Sequence, residues 1–446
     1  MTRSLIRGRP KRARAQISAR LAQSALGVVI AVLWLGLALP VARGHRAAQQ
    51  EGTSAADLAL PLIVAVGAVV AGTYGYLRRT RRPHTRTIPS APAPATGPSP
   101  LPRLDEETRA LLVAADDSVR TSREELDWAG AGRDPGTTAP FRHALQHAET
   151  ELSAAFAIRH RYDEGVPGDD PARRQALTGI AGRCTEAGRL LDAEAPALDA
   201  VRDLEGDPLP AVERAESQFR ALTARVAPAE RALLDLARRH TPAAVAPVTG
   251  FPEQARDRLV FAALRLNHAR RQSDLDDPAG AAAHLRAAEG AVTQASVLLA
   301  AVTRLGTDLA AAEALLQQDP DTELPATPYD PLDLLRRRTA SPLPAHSTTA
   351  TTEAYLSTHR AAITATPRTL LAAALRLLPT DPSRADTLAL ESRARAEQDV
   401  RTHGNPHPDD TSPHEAGTTG ATLGGILLGP TPASYGGPET RQRRTL

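Results

Sequence analysis

The stretch that decides the fold is FRHALQHAETELSAAFAIRHRY, residues 141–162. Its apolar residues recur at spacings of four and three, at Phe141, Leu145, Ala148, Leu152 and Phe156. These spacings place side chains on one face of an α-helix. Because the residues between them are mostly polar, the stretch predicts an amphipathic helix that covers a core with one face.

Similar patterns continue on both sides of this stretch. Ala, Leu, Arg and Glu are strong helix formers, and runs of Val, Ile and Tyr are almost absent after residue 77. Many helices are expected to begin at a proline, as at Pro171, where Asp170 is the predicted N-cap, and Pro196 is expected to kink the same helix. The sequence therefore predicts an all-α protein with an elongated array of antiparallel helices, rather than one uninterrupted coiled coil. The predicted helices cover residues 104–128, 140–162, 170 onward, 209–226, 228–240, 252–274, 278–318, 352–378 and 382–402.

Two uncharged apolar segments lie near the N-terminus. Residues 21–42 would form about 33 Å of helix and residues 58–77 about 30 Å. Both lengths match the hydrocarbon core of a bilayer, so we expect a hairpin of two transmembrane helices. A cleaved signal peptide is the alternative for residues 21–42, but Pro40 lies in a poor cleavage site, which favours a retained anchor.

The flanking charges predict the orientation of this hairpin. The connector, residues 43–57, is formally neutral and is expected outside the cell, whereas the basic N-terminus, residues 1–20, and the chain after residue 77 are expected in the cytoplasm. The protein is therefore predicted to be a two-span membrane protein with most of its chain cytoplasmic. The topology-setting basic residues are Arg3, Arg7, Arg9, Lys11, Arg12, Arg14, Arg78, Arg79, Arg81 and Arg82.

Small residues recur every four positions in the second apolar segment, at Gly67, Ala71 and Gly75. Such a stripe lets another membrane helix approach closely, and we expect it to pack against the first span. Ordinary use of Gly and Ala in membrane helices would give the same pattern, so this alternative stays open.

The composition separates three regions after the membrane hairpin. Residues 78–103 are basic and then rich in Pro and Ala, which predicts an extended linker. Residues 104–402 form the predicted cytoplasmic helical region. Residues 403–446 turn to Gly, Pro, His and Thr and are predicted to be a disordered tail.

Several strings after the linker, in their order, resemble the cytoplasmic region of actinobacterial TPM domain-containing membrane proteins. They include RCTEAGRLLDAEAPALDAVRDLE, FPEQARDRLVFAALRLNHARR, PYDPLDLLRR, AEQDVR and the terminal SYGGPETRQRR. The resemblance implies an exported TPM domain between the two spans. Only residues 43–57 lie there, too few for a domain, so the activity of that domain is not carried over.

No sequence motif supports catalysis or a cofactor. The single cysteine, Cys184, excludes a disulfide within one chain and has the pattern of a buried helical residue. His143 and His147 are four residues apart, but two histidines without a third ligand are more typical of a solvated face than of a metal site. Phosphate-binding glycine loops and the G-x-S-x-G nucleophile motif are absent from the sequence.

We therefore expect a membrane-anchored helical scaffold or interaction protein without catalytic activity. Its expected partners are the lipid bilayer and another protein, or a second copy, bound through the helices. One alternative is a basic protein that binds anionic lipid or nucleic acid through its charged ends, although nucleic acid is the less favoured partner beside a membrane span. The other is a membrane-tethered enzyme or metal protein of a type without a familiar motif.

Overall fold

A computed structural model describes residues 100–318, 325, 328–338, 341–403 and 434–445. All of these belong to the second of two units into which the chain divides, Gly97–Leu446. The predicted spans 21–42 and 58–77, the connector 43–57 and the linker up to residue 99 lie outside the described residues. The same holds for the stripe of Gly67, Ala71 and Gly75 and for the topology-setting basic residues from Arg3 to Arg82.

The described residues are helical, which confirms the all-α prediction, and they contain no β-strand. The first helix starts three residues before the expected position, and the others mostly follow the predicted runs. The helices are α1 (Leu101–Gly130), α2 (Pro135–Asp163), α3 (Asp170–Arg202), α4 (Leu209–Arg239), α5 (Pro242–Val245), α6 (Phe251–Asp274), α7 (Pro278–Gln317), α8 (Pro331–Arg338), α9 (Leu343–Thr358), α10 (Ala365–Leu377), α11 (Pro382–His403) and α12 (Pro438–Thr445).

Aspartate followed by proline marks helix starts, as the sequence predicts. The Asp277 carboxylate accepts a hydrogen bond from the backbone N–H of Gly280 at the start of α7, at 3.0 Å. The Asp381 carboxylate accepts one from Arg384 N–H at the start of α11, at 2.9 Å. For α3 the prediction is wrong by one residue, because the N-cap that accepts from Ala172 N–H is Asp169, not Asp170. Each cap satisfies a backbone donor that the helix itself cannot pair.

Two predicted boundaries are wrong for reasons of packing. The runs 209–226 and 228–240 are one helix, α4, because Val226 and Ala229 on either side of Pro228 are buried in the same core and offset the hydrogen bond that proline removes. The run 352–378 is divided into α9, a 3₁₀ helix (Arg360–Ala362) and α10. Pro367 disfavours a helix that continues through the four residues before it, and the Asp399 carboxylate accepts hydrogen bonds from Thr364 instead.

Two groups of long helices each enclose a core. In the first bundle, defined as α1, α2 and α3, the core is formed by Leu, Ala and Ile together with Phe141 and Phe156. In the second bundle, defined as α4, α6 and α7, it is formed mainly by Ala, Leu and Val. Helices α9, α10 and α11 contact both bundles or each other, so packing goes beyond the nearest-neighbour stacking of a linear array.

Helix α7 is the one described helix with the length and apolar composition of a membrane span. In this fold it contacts α4, α6, α8 and α9 and contributes 18 buried residues. A central core helix has the same composition as a span, since both are apolar on most faces. The contacts of α7 account for its apolar character without a bilayer.

Acidic residues along α1 pair with arginines from other elements. Asp116 lies 2.6 Å from Arg368 of α10, and Glu124 lies 2.6 Å from Arg360. Arg368 and Arg360 are buried, and arginine remains charged at any physiological pH. Each therefore needs a carboxylate partner inside the protein. These two ion pairs hold one face of α1 against the C-terminal helices. The other faces of α1 remain available for contacts with other parts of the chain. Arg120 and Arg368 together hold the pKa of Asp116 below its ordinary value despite its burial, which acts in the opposite direction.

Candidate interaction site: a groove filled by the C-terminal segment

The C-terminal segment, which we define as residues 434–445, is ordered on the first bundle. The prediction of disorder is therefore wrong for these residues, while residues 404–433 lie outside the described part of the chain. Tyr435 is 1% exposed, and α12 contacts α3. The prediction from composition is wrong here because it considers only the segment itself. A short polar segment can become ordered when it binds in a groove formed by other parts of the chain.

Tyr435 is buried in this groove. Its ring meets the Phe141 ring edge-on, with centroids 6.3 Å apart, and its hydroxyl donates to the Phe141 carbonyl at 3.1 Å. Its backbone N–H donates to the Glu125 carboxylate. Burial raises the pKa of the Tyr435 hydroxyl well above its ordinary value, and the charge of Glu194 acts in the same direction. The hydroxyl therefore stays protonated and remains a donor.

Small residues on both sides allow the close approach of the segment to α3. A Cβ atom added to Gly188 of α3 would lie 2.7 Å from the Pro438 ring. One added to Gly437 would lie 2.3 Å from the Gly188 carbonyl oxygen. Gly436 adopts φ +133°, in the region that glycine favours. The groove therefore requires glycine at positions 436 and 437.

Asp192 of α3 caps the N-terminus of α12. Its carboxylate accepts hydrogen bonds from Gly437 N–H at 2.8 Å, Thr440 N–H at 3.0 Å and the Thr440 hydroxyl at 2.6 Å. A fourth, from Glu439 N–H, measures 3.2 Å. A carboxylate in this position satisfies unpaired donors and meets the positive end of the helix dipole. The side chain of another helix thus supplies the cap that α12 does not carry itself.

Helix α1 forms the opposite wall of the groove with polar side chains. Gly436 N–H donates to the Ser122 hydroxyl at 3.1 Å, and the Arg441 guanidinium donates to the Thr121 hydroxyl at 2.6 Å. Burial lowers the pKa of Arg441 from its ordinary value, and the nearby Asp117 carboxylate opposes that shift. Apart from the Tyr435 ring, the segment is thus held mainly through backbone donors and hydroxyl groups.

The Glu125 carboxylate connects this groove with the second bundle. Besides Tyr435 N–H, it faces Arg286 of α7 at 3.3 Å and Arg202 of α3 at 3.7 Å. Arg202 also pairs with Glu289 of α7 at 2.7 Å. Because all four charged side chains are less than one-tenth exposed, each depends on the others for its partners. The ends of α3 and α1 and the first half of α7 are joined at this point.

The fold does not bring together the residues that the sequence offers as candidate catalytic or metal-binding groups, which are Cys184, His143 and His147. Cys184 is buried in the core of the first bundle, as predicted, and burial raises its pKa to about 12, which makes it a poor nucleophile. The Nε2 atoms of His143 and His147 lie 3.1 Å apart on the exposed face of α2. Within the described ranges, no group of three or more His, Cys, Asp or Glu side chains could hold a metal ion.

Sequence reasoning did not find the residues of the groove. Ser122, Glu125 and Asp192 are ordinary polar residues on amphipathic helices, and nothing in their spacing distinguishes them from a solvated face. The available signal was Tyr435, one of six tyrosines in a chain poor in aromatic residues, placed directly before Gly-Gly-Pro. A large apolar ring within a polar tail predicts a contact with another surface.

Two curated proteins of Mycobacterium tuberculosis are similar to part of this chain. They are the UPF0603 protein MT2410 of strain CDC 1551 / Oshkosh and the UPF0603 protein Rv2345 of strain ATCC 25618 / H37Rv. Each is 33% identical over 223 residues, which is 49% of this chain and 33% of the relative. The chain therefore matches about a third of the length of these relatives. No family model and no solved structure matches the sequence.

Proposed function

We propose that the protein is a non-catalytic, membrane-anchored scaffold whose groove between α1 and α3 recognises a peptide segment. The observation that carries this proposal is the C-terminal segment in the groove. Five of its backbone N–H groups donate to side chains of α1 and α3, which are Ser122, Glu125 and Asp192. A groove that pairs this many backbone donors and also buries an aromatic ring has the features of a peptide-recognition site.

The membrane part of this proposal is supported by the sequence alone. Residues 21–42 and 58–77 have the length and composition of spans, and the resemblance to TPM domain-containing proteins implies a helical region after the second span. On this proposal the groove lies in the cytoplasm, separated from the membrane by the linker of residues 78–103. If the full-length protein appears in the soluble fraction of lysed cells, or if protease outside intact cells digests residues 104–402, the anchor proposal is wrong.

Peptide binding tests the groove directly. A chain that ends at Ala433, held in lipid nanodiscs, is titrated with a synthetic peptide of residues 434–446 in a calorimeter. We expect one peptide to bind per chain. Absence of heat and of any change in peptide fluorescence anisotropy would contradict the proposal.

The glycines of α3 provide a matched pair of variants for this titration. Gly188→Ala places a methyl group against Pro438 and should weaken binding at least tenfold, although alanine favours the helix more than glycine does. Gly182 lies in the same helix with no atom within 4 Å of an added Cβ, so Gly182→Ala should bind the peptide like the parent. Equal binding by the two variants would place the peptide elsewhere on the chain.

A further inference from the structure

We propose that the groove also accepts the C-terminal segment of a second copy of this chain, so that two copies exchange their segments. This inference rests on the proposed function, because it names the partner of the same groove. Hydrogen bonds from the segment reach side chains and one carbonyl of α1, α2 and α3.

These hydrogen-bond partners belong to the first bundle, whereas the helix that precedes the segment in the chain is α11. Thirty residues, 404–433, separate His403 from Ser434. Fully extended, a connection of that length spans about 100 Å, enough to reach either the groove of its own copy or that of a neighbour. The contacts of Tyr435, Gly437 and Thr440 would be the same in both arrangements, so exchange loses none of them.

The specificity of the groove selects the segment itself as the partner. A ligand must offer an aromatic ring, two glycines that approach α3 closely, a proline against Gly188 and a hydroxyl for Asp192. The segment of every copy carries these features in this order. Since each copy has one groove and one segment, mutual exchange closes as a two-fold dimer in which both grooves are filled.

Exchange must compete with docking within one copy. A segment tethered by a connection of this length is present near its own groove at an effective concentration on the order of millimolar. Anchoring in a membrane would confine the copies to two dimensions and raise their concentration relative to each other. We therefore expect exchange where the protein is membrane-bound and dense, and docking within one copy where it is dilute.

Crosslinking between differently tagged copies separates the two arrangements. Both copies are full-length and carry Cys184→Ala, which removes the native thiol. One copy carries Glu439→Cys in the segment, and the other carries Arg189→Cys beside Gly188 at the edge of the groove; both positions are exposed. The copies are co-expressed in membranes and treated with a short bis-maleimide linker. A control chain carries both cysteines.

Exchange predicts a crosslinked heterodimer from the mixed copies. Its yield should fall at least tenfold when the Arg189→Cys copy also carries Gly188→Ala, and should be unchanged with Gly182→Ala. If the control chain crosslinks within itself while the mixed copies give no heterodimer at any expression level, exchange is wrong and the peptide-recognition proposal stands. If neither forms a crosslink, the docked segment is wrong and both proposals fail.

Discussion

The first and second bundles are each built from three long helices, but they complete their cores in different ways. In the second bundle, α7 presents small side chains such as Ala288, Ala291 and Ala295 to its neighbours, so the helices can approach closely without large rings. The described core of this bundle is completed by apolar residues of several neighbouring helices, among them Trp128 of α1, Leu335 of α8, Leu356 of α9 and Leu371 of α10.

In the first bundle, the face of α1 toward α3 carries buried polar residues, among them Ser118, Thr121, Ser122 and Glu125. These side chains cannot fill a core against α3, because buried polar groups need hydrogen-bond partners. The C-terminal segment supplies partners for Thr121, Ser122 and Glu125 and adds the Tyr435 ring, whereas Ser118 donates to the Ala114 carbonyl of its own helix. The polar face of α1 thus leaves a site for a peptide on the first bundle, whereas the core of the second bundle is covered by apolar residues of neighbouring helices.

The largest effect should come from the junction that joins the two bundles. Arg202→Met leaves Glu125 and Glu289 with fewer partners in a buried site and should reduce the free energy of unfolding of residues 97–446 by about 3–5 kcal/mol. Arg183→Met is the control, since Arg183 pairs with Glu151 near the surface, and should cost less than about 1 kcal/mol. Urea titration followed by circular dichroism measures both. Similar losses would mean that the junction does not stabilise the fold.

Shortening a buried side chain inside the second bundle should reduce the free energy of unfolding almost as much. Leu298 of α7 is fully buried, and Leu298→Ala should cost about 2–5 kcal/mol, because the alanine-rich neighbours leave little freedom to fill the cavity. Leu315 of the same helix is 41% exposed, and Leu315→Ala should change stability by less than about 0.5 kcal/mol. The same urea titration compares them. A small loss for Leu298→Ala would show that this core is loosely packed.

The stability of the protein should fall between pH 6.5 and pH 4 because His359 is buried in its neutral form. His359 stacks on Tyr355, and burial, together with the positive charge of Arg258, lowers its pKa from 6.5 to about 4. Its stabilising effect is complete above pH 6.5 and is lost as the pH falls toward 4, because the unfolded chain binds the proton first. The loss should reach at most about 3 kcal/mol.

The control for this prediction is His359→Gln, which cannot take up the proton. Between pH 6.5 and pH 4.5 the stability of this variant should fall less than that of the parent, and the remaining change comes from groups such as His284, whose pKa burial also lowers. Carboxylates such as Asp116, whose pKa is lowered, contribute their losses below this range, since their ordinary pKa is 3.8. Parallel curves for parent and variant would assign the pH dependence to other groups.

The smallest effect should come from Tyr435, and it should remain local. Tyr435→Ala removes a buried ring, which in a continuous core costs about 3–5 kcal/mol, but here the segment can detach while the bundles stay folded. We expect a loss of about 1–2 kcal/mol and rapid hydrogen exchange at Gly436, Gly437 and Thr440. Tyr435→Phe, which keeps the ring and loses only the hydroxyl, should retain most of the protection. If Tyr435→Ala also exposes the amides of α7, the segment is an integral part of the core.

The sequence by itself determined the helical class and most helix positions. The spacing from Phe141 to Phe156 acts within a single helix, and caps such as Asp277 act on the next few residues, so both can be read without knowledge of the fold. The burial of Cys184 followed from its place in such a pattern. These features depend on contacts between residues that are close along the chain.

The tertiary structure decided what depends on distant residues. The continuity of α4 through Pro228 depends on a core formed by α6 and α7, and the charge of Glu125 is acceptable only beside Arg202 and Arg286. The order of residues 434–445 depends on Asp192, more than two hundred positions earlier in the sequence. No local pattern records these partners, because a hydrogen bond or a buried ion pair requires that two groups meet in space and not that they are near in sequence.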